Sequence, residues 1–202
     1  MRALFCTLFI GLAAAVLTAP RALSQDNEWT DLFGRDLKDW SRSGTGASPW
    51  RMTTDRTLTC ERGTEVYIPE REFFDGTLKF EYRFRPNGEK NGYKAAVWAR
   101  RTLHETGFRV ALGDDCGTMT AVFQGGSDRT KMLEEKPAEN AAKLIGEWNQ
   151  VRISLEGRSA TVYINDKQVA SFSQCDSIRG LIALEADGSE VEFRNVWWKD
   201  GK

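Results

Sequence analysis

Histidine is almost missing from this chain, with His104 the single one among 202 residues. One histidine excludes any metal site built on several imidazoles. Cysteine is nearly as scarce: Cys6, Cys60, Cys116 and Cys175 stand at wide, irregular spacings. No pair has zinc-ligand spacing, so a cysteine-based metal site is not expected. Neither charge dominates, 28 Lys and Arg standing against 29 Asp and Glu. A nucleic-acid binder is expected to show a basic face, and no such excess is present. There is no proline- or serine-rich linker, no low-complexity tract and no internal repeat. The longest uncharged apolar run, Ala3–Leu17, falls short of the ~20 residues that span a bilayer.

That run has the form of a signal peptide. Met1 and Arg2 give a short positive start, and Pro20 and Arg21 end the apolar core. Ala22-Leu23-Ser24 then places small residues at the −3 and −1 positions, which predicts cleavage between Ser24 and Gln25. The expected location is secreted or periplasmic, with no membrane attachment after cleavage. Cys6 leaves with the signal, so Cys60, Cys116 and Cys175 remain and allow one disulfide at most, with no pairing preferred. Residues 25–28 read as a short linker, 29–199 as one domain and 200–202 as a tail.

The mature chain alternates with period two. In Gly76–Arg85, Leu78, Phe80, Tyr82 and Phe84 alternate with Lys79, Glu81, Arg83 and Arg85. Such spacing puts apolar side chains on one face of a strand and charges on the other. Phe108–Leu112, Val151–Leu155, Ala160–Ile164 and Val191–Arg194 repeat it. Pro86-Asn87-Gly88, Glu156-Gly157-Arg158 and Asn165-Asp166 supply turn signals between runs. Many short alternating strands predict an all-β antiparallel sandwich or jelly roll. Glu134–Leu144 alone has a helix-like composition, and Pro137 breaks it, so it reads as a long loop with at most one helical turn.

Five segments carry a family resemblance: Trp29–Trp40, Trp50–Leu58, Glu147–Val169, Gly180–Glu185 and Val191–Val196. In this order and spacing they resemble the 3-keto-disaccharide hydrolase domain, a domain of secreted bacterial proteins, across nearly all of Trp29–Lys199. The resemblance implies a concanavalin-like or laminin-G-like jelly-roll β-sandwich with a concave face. It also implies substrates that are glycosides oxidised at carbon 3 of a sugar. A ketone there acidifies the hydrogen on carbon 2 and places the leaving group on carbon 1 in the β position. Elimination followed by hydration then breaks the glycosidic bond, given a base near carbon 2 and a cation at the ketone oxygen. No cofactor is called for. The alternative is a non-catalytic, lectin-like domain that binds glycan through the same face.

Alternation places candidate site residues on that face. Ala95, Val97 and Ala99 point inward, leaving Trp98 and Arg100 together outside. Likewise Arg109 lies opposite Phe108, Val110 and Leu112, and Glu185 opposite Ile182 and Leu184. Glu185 or Asp187 is the candidate base and Arg109 or Arg100 the candidate enolate-holding cation, since Arg stays charged at working pH. Trp98 offers a flat surface to a sugar ring, with Asp114 and Asp115 at a strand end and His104 in a loop as further candidates for the substrate contact. Gly113-Asp114-Asp115 reads as a turn rather than a calcium site. The chain departs from the family's usual phrases here: Arg109 replaces Glu, Ala111 and Glu185 replace Gln, and Asp187 replaces His. A mass spectrum of the exported protein is expected to begin at Gln25; another first residue would correct the cleavage site.

Overall fold

Alternating apolar residues can be buried only if a second sheet covers them, and the chain builds two. In the computed structural model, described for residues 29–34, 37–42, 48–60, 65–67, 70–86, 92–102, 104, 106–125 and 129–201, every assigned element is a strand. One sheet has eight strands. Its spatial order is β13 (Lys167–Phe172), β12 (Ser159–Ile164), β11 (Asn149–Glu156), β6 (Gly76–Phe84), β15 (Val191–Asp200), β4 (Leu58–Cys60) and β3 (Trp50–Met52), with β1 (Thr30–Asp31) also paired to β15. The other has seven: β10 (Arg129–Glu135), β9 (Met119–Gly125), β8 (Gly107–Ala111), β7 (Ala95–Arg101), β14 (Leu181–Ala186), β5 (Glu65–Tyr67) and β2 (Ser41–Arg42). The sheets pack face to face as a jelly-roll sandwich. The signal and linker segments, Asn87-Gly88 of one expected turn and Asn91 lie outside the described residues.

The core is built from the period-two pattern. Leu78, Phe80, Tyr82 and Phe84 of β6 are buried, as are Val151, Ile153 and Leu155 of β11. They meet Val97, Phe108, Val110, Ile182 and Leu184 from the seven-stranded sheet. Each such side chain contributes about 1.5–3 kcal/mol when fully buried. Trp198 is the largest fully buried residue, and Phe73 meets it edge-on at 5.0 Å. Trp198 also donates to Asp200 Oδ1 at 2.6 Å, and Gly201 N donates to Asp75 O at 2.9 Å. The last strand therefore runs one residue past the expected boundary at 199. Asn165-Asp166 forms the two-residue hairpin between β12 and β13 with positive φ at both residues, the geometry that Asn and Asp tolerate best. Glu134 and Glu135 belong to β10, and the chain after them is irregular, without a helical turn. Cys60, Cys116 and Cys175 are buried thiols with no disulfide among them. Burial pushes Cys116 up to about 11, against the effect of its contact with Tyr82 Oη at 2.9 Å.

One departure from alternation organises an end of the sandwich. Arg101 pairs with Leu181 and Trp98 with Ala183, so Ala99 and Arg100 together oppose Ile182. This is a β-bulge, and Arg100 takes it up with φ of 57°. Gly107 and Gly180 make room: a Cβ on either would come within 2.6 Å of the Arg100 carbonyl group. The extra residue turns Arg100 inward, where it is wholly buried, rather than outward beside Trp98 as alternation predicts. Its guanidinium donates to Asp75 Oδ1 at 2.7 Å and to Gly157 O at 2.5 Å, with longer contacts to Phe74 O and Ser177 O. Asp75 Oδ1 also accepts from Gly157 N at 3.0 Å. Arg100 thus ties β7 to the chain entering β6 and to the β11–β12 turn, which belong to the opposite sheet.

Removing the buried donor leaves its acceptors unsatisfied at a cost of about 1–3 kcal/mol, since Asp75 keeps 47% of its exposure and can be rehydrated. Arg100→Met is expected to lower the unfolding free energy in urea by that amount. A loss within the ~0.5 kcal/mol typical of surface substitutions would contradict a structural role for Arg100.

Candidate functional site

The middle strands of the seven-stranded sheet bring three predicted residues into contact. Trp98 on β7 is the register partner of Arg109 on β8, and β14 lies on the other side of β7. Alternation sends Trp98, Arg109 and Glu185 to the outer face. There Arg109 Nη2 donates to Glu185 Oε1 at 2.8 Å and Arg109 Nε to Oε2 at 3.1 Å, a bidentate pair. Trp98 Nε1 donates to the same Oε2 at 2.8 Å. The two charged side chains keep 29% and 22% of their exposure, so the pair is sheltered but reachable from solvent.

The bulge supplies a residue that sequence reasoning missed. Because Arg100 turns in, Arg101 takes the outer face, with its guanidinium carbon 6.0 Å from the Trp98 ring centroid. Arg101 also adds positive charge near Glu185. The doublet Arg100-Arg101 was visible in the sequence, but strict alternation assigned it the wrong way round. Trp98 in turn is no open platform: it is 9% exposed and packs with Val122 and Ala183. Its indole holds Glu185 in place and lines the floor of the site.

The remaining candidates separate by position along the strands. Asp187 is exposed just beyond β14, and its charge helps raise the Arg109 pKa. Asp114 lies in the β8–β9 turn near the same strand ends, where it braces the backbone: Asp114 N donates to Tyr93 O at 2.9 Å and Asp114 Oδ2 accepts from Tyr93 N at 3.3 Å. Asp115 is exposed in that turn. His104 lies at the other end, in the β7–β8 connection, exposed on a recess of about 310 Å³ with Val122, Phe123 and Asp176. At ~3.3 Å per strand residue, the length of β7 puts His104 about 20 Å from Asp187. Asp187 and His104 therefore do not act on one bond. Among the described residues, no three His, Cys, Asp or Glu side chains are grouped to hold a metal ion.

Opposing electrostatic effects act on Glu185 and Arg109. Burial opposes ionisation of Glu185, but the hydrogen bonds and charge of Arg109, helped by Trp98 and Arg101, outweigh it and hold its pKa below the ordinary range. Arg109 is raised above its usual value, chiefly by the hydrogen bond to Glu185 against the effect of burial. A carboxylate with a depressed pKa and donors on both oxygens is a poor proton acceptor. Glu185 is therefore an orienting group for Arg109, while Asp187, past the end of β14, is exposed.

Residues 28–199 match the 3-keto-alpha-glucoside-1,2-lyase-like domain. The chain belongs to this family. No curated protein sequence matches it. Among solved structures, a putative glycosyl hydrolase from Parabacteroides distasonis is similar at TM-score 0.66 and 17% identity, over 89% of this chain and 98% of that one. The carbohydrate-binding module CBM66 from Bacillus subtilis is similar at TM-score 0.60 and 14% identity, over 80% and 96%. A Bacillus licheniformis beta-glucanase is similar at TM-score 0.59 and 8% identity, over 87% and 98%. At these identities the structural likeness is one of fold. With the family match it marks a carbohydrate-related jelly-roll domain, of a kind used both for hydrolases and for binding modules.

Because the Glu185 pKa is lowered in the folded state, its pair stabilises the fold above the ordinary carboxylate range and stops doing so as pH falls through the folded value. Glu185→Gln is expected to cost about 1.5–3 kcal/mol at neutral pH, the range for a hydrogen bond to a charged group. Urea unfolding at a series of pH values should show that difference shrinking as pH falls below the ordinary carboxylate range. A difference independent of pH would contradict the ion pair.

Proposed function

We propose that the domain is exported, with its signal removed after Ser24, and cleaves 3-keto-glycosides on the outer face of the seven-stranded sheet. One observation supports this reading above the rest: in a member of the lyase-like family, an exposed carboxylate, Asp187, stands within electrostatic reach of a fixed guanidinium, Arg109. In this reading Asp187 removes the proton on carbon 2 of the 3-keto sugar. The electron pair forms the carbon 1–carbon 2 double bond as the bond from carbon 1 to the leaving oxygen breaks; that oxygen takes a proton from solvent and departs as an alcohol, and Asp187 returns the proton it removed to solvent. Arg109, held by Glu185 and Trp98, faces the ketone oxygen and stabilises the enolate that develops there. Arg101 adds a second positive charge on that face. Water then adds across the double bond, so the net change is hydrolysis. Positioned proton transfer of this kind contributes about 10²–10⁴-fold to a rate.

A second reading, glycan binding without turnover, is favoured by the saturation of Glu185. A carboxylate, a guanidinium and an indole locked together form a rigid recognition surface whether or not chemistry occurs there. Incubation with a panel of 3-keto-glycosides separates the two. The enzyme reading expects release of the leaving alcohol, with kcat reduced about 10²–10⁴-fold in Asp187→Asn. No turnover, together with saturable binding of unoxidised sugars, would sink the enzyme reading in favour of the second.

A further inference from the structure

The opposite face of the molecule carries a row of side chains that the site above does not use. On the eight-stranded sheet, Trp197 of β15 is the register partner of Lys79 on β6, Lys79 of Arg152 on β11, and Arg152 of Tyr163 on β12. The row therefore reads aromatic, cation, cation, aromatic across four adjacent strands. All four point outward, since Leu78, Phe80, Val151, Ile153, Val162, Ile164 and Trp198 take the inner positions. The bulge at Asn195 sets the end of the row by placing Trp197 outside and Trp198 inside. Two recesses, about 350 and 590 Å³, open over this face and share Lys79 and Arg152 as lining.

Like charges directly opposite on neighbouring strands repel and destabilise a sheet. Elsewhere on this face Arg83, Arg85 and Arg194 are each ion-paired with a carboxylate. Glu192 receives Arg83 and Arg85, and Glu81 receives Arg194 together with Asn195. Neither Lys79 nor Arg152 makes an ion pair with a described carboxylate. Their company is aromatic: the Lys79 ammonium lies 4.4 Å from the Trp29 ring centroid and the Arg152 guanidinium carbon 3.6 Å from that of Tyr163. Stacking occupies the face of the guanidinium and leaves N–H groups at its edge for a planar anion. Arg152 Nη1 donates to Ser154 Oγ at 3.5 Å.

We propose that this row is a second carbohydrate site, one that takes a sugar bearing an anionic substituent, a carboxylate or a sulfate. Lys79 and Arg152 hold the anion between them, and its charge relieves their mutual repulsion. Trp197, at one end of the row, offers apolar surface to a sugar ring, while Tyr163, at the other, keeps Arg152 stacked. The site lies on the sheet opposite Arg109 and Asp187 and does not depend on turnover there.

Calorimetric titration of the full mature chain with an oligogalacturonide, a sulfated oligosaccharide and a neutral cello-oligosaccharide tests it. Saturable binding is expected for one or both acidic ligands and not for the neutral one, and which of the two binds identifies the substituent. Lys79→Gln and Arg152→Gln should each weaken that binding at least tenfold, while Asp187→Asn leaves it unchanged. Thermal unfolding of Lys79→Gln should be unchanged or raised, because a repulsion is removed. Failure of both acidic ligands to bind would overturn the proposal. So would binding indifferent to both substitutions, or a clear fall in the stability of Lys79→Gln, which would make the row structural.

Discussion

One extra residue in β7 decides what both ends of its arginine doublet do. Opposite Ile182 the strand spends two residues, Ala99 and Arg100, and the backbone turns through a left-handed conformation to do so. Without that bulge Arg100 would project from the outer face and the chain segments around Asp75 and Gly157 would lose the cation that joins them. With it, Arg100 becomes an internal tie between the sheets and Arg101 becomes the outer-face cation. Gly107 and Gly180, which closely flank the Arg100 carbonyl, are part of the same solution. Structural support and site electrostatics thus issue from a single local irregularity.

The site gains its character from how its charges are spent. Glu185 is committed on both oxygens, which rigidifies Arg109 and lowers the basicity of the carboxylate in one stroke. Asp187, only two residues further along, has passed the end of β14 and is exposed. Two carboxylates of similar sequence context therefore differ in exposure because one lies within the sheet and the other beyond it. Under the proposed elimination, Arg109 would supply the preorganised charge and Asp187 the separate proton acceptor.

Much of this was legible from residue order. The alternation in Gly76–Arg85 predicted β6 and its buried aromatics, and the face assignment for Trp98, Arg109 and Glu185 matches their contact. The family was readable from phrases spread along the chain. Arg100 was not, because period-two reasoning has no means of locating a bulge; the glycines at 107 and 180 were its only trace, and each is equally at home in a turn. The burial of Trp98 under neighbouring strands was hidden for a different reason. It depends on Val122 of β9, a strand whose place beside β8 is set by tertiary pairing. His104 stood between two strands in the sequence, but only the strand length reveals that it lies at the far end from Asp187.

The central claim is that a sugar engages the outer face of the seven-stranded sheet beside Arg109 and Asp187. A crystal structure of the Asp187→Asn protein soaked with a 3-keto-glycoside tests it most directly. The account predicts intact sugar with its ketone oxygen within hydrogen-bond distance of Arg109 and carbon 2 turned towards residue 187. Sugar bound with Arg109 and residue 187 out of reach of its ring, or bound elsewhere on the domain, would contradict it.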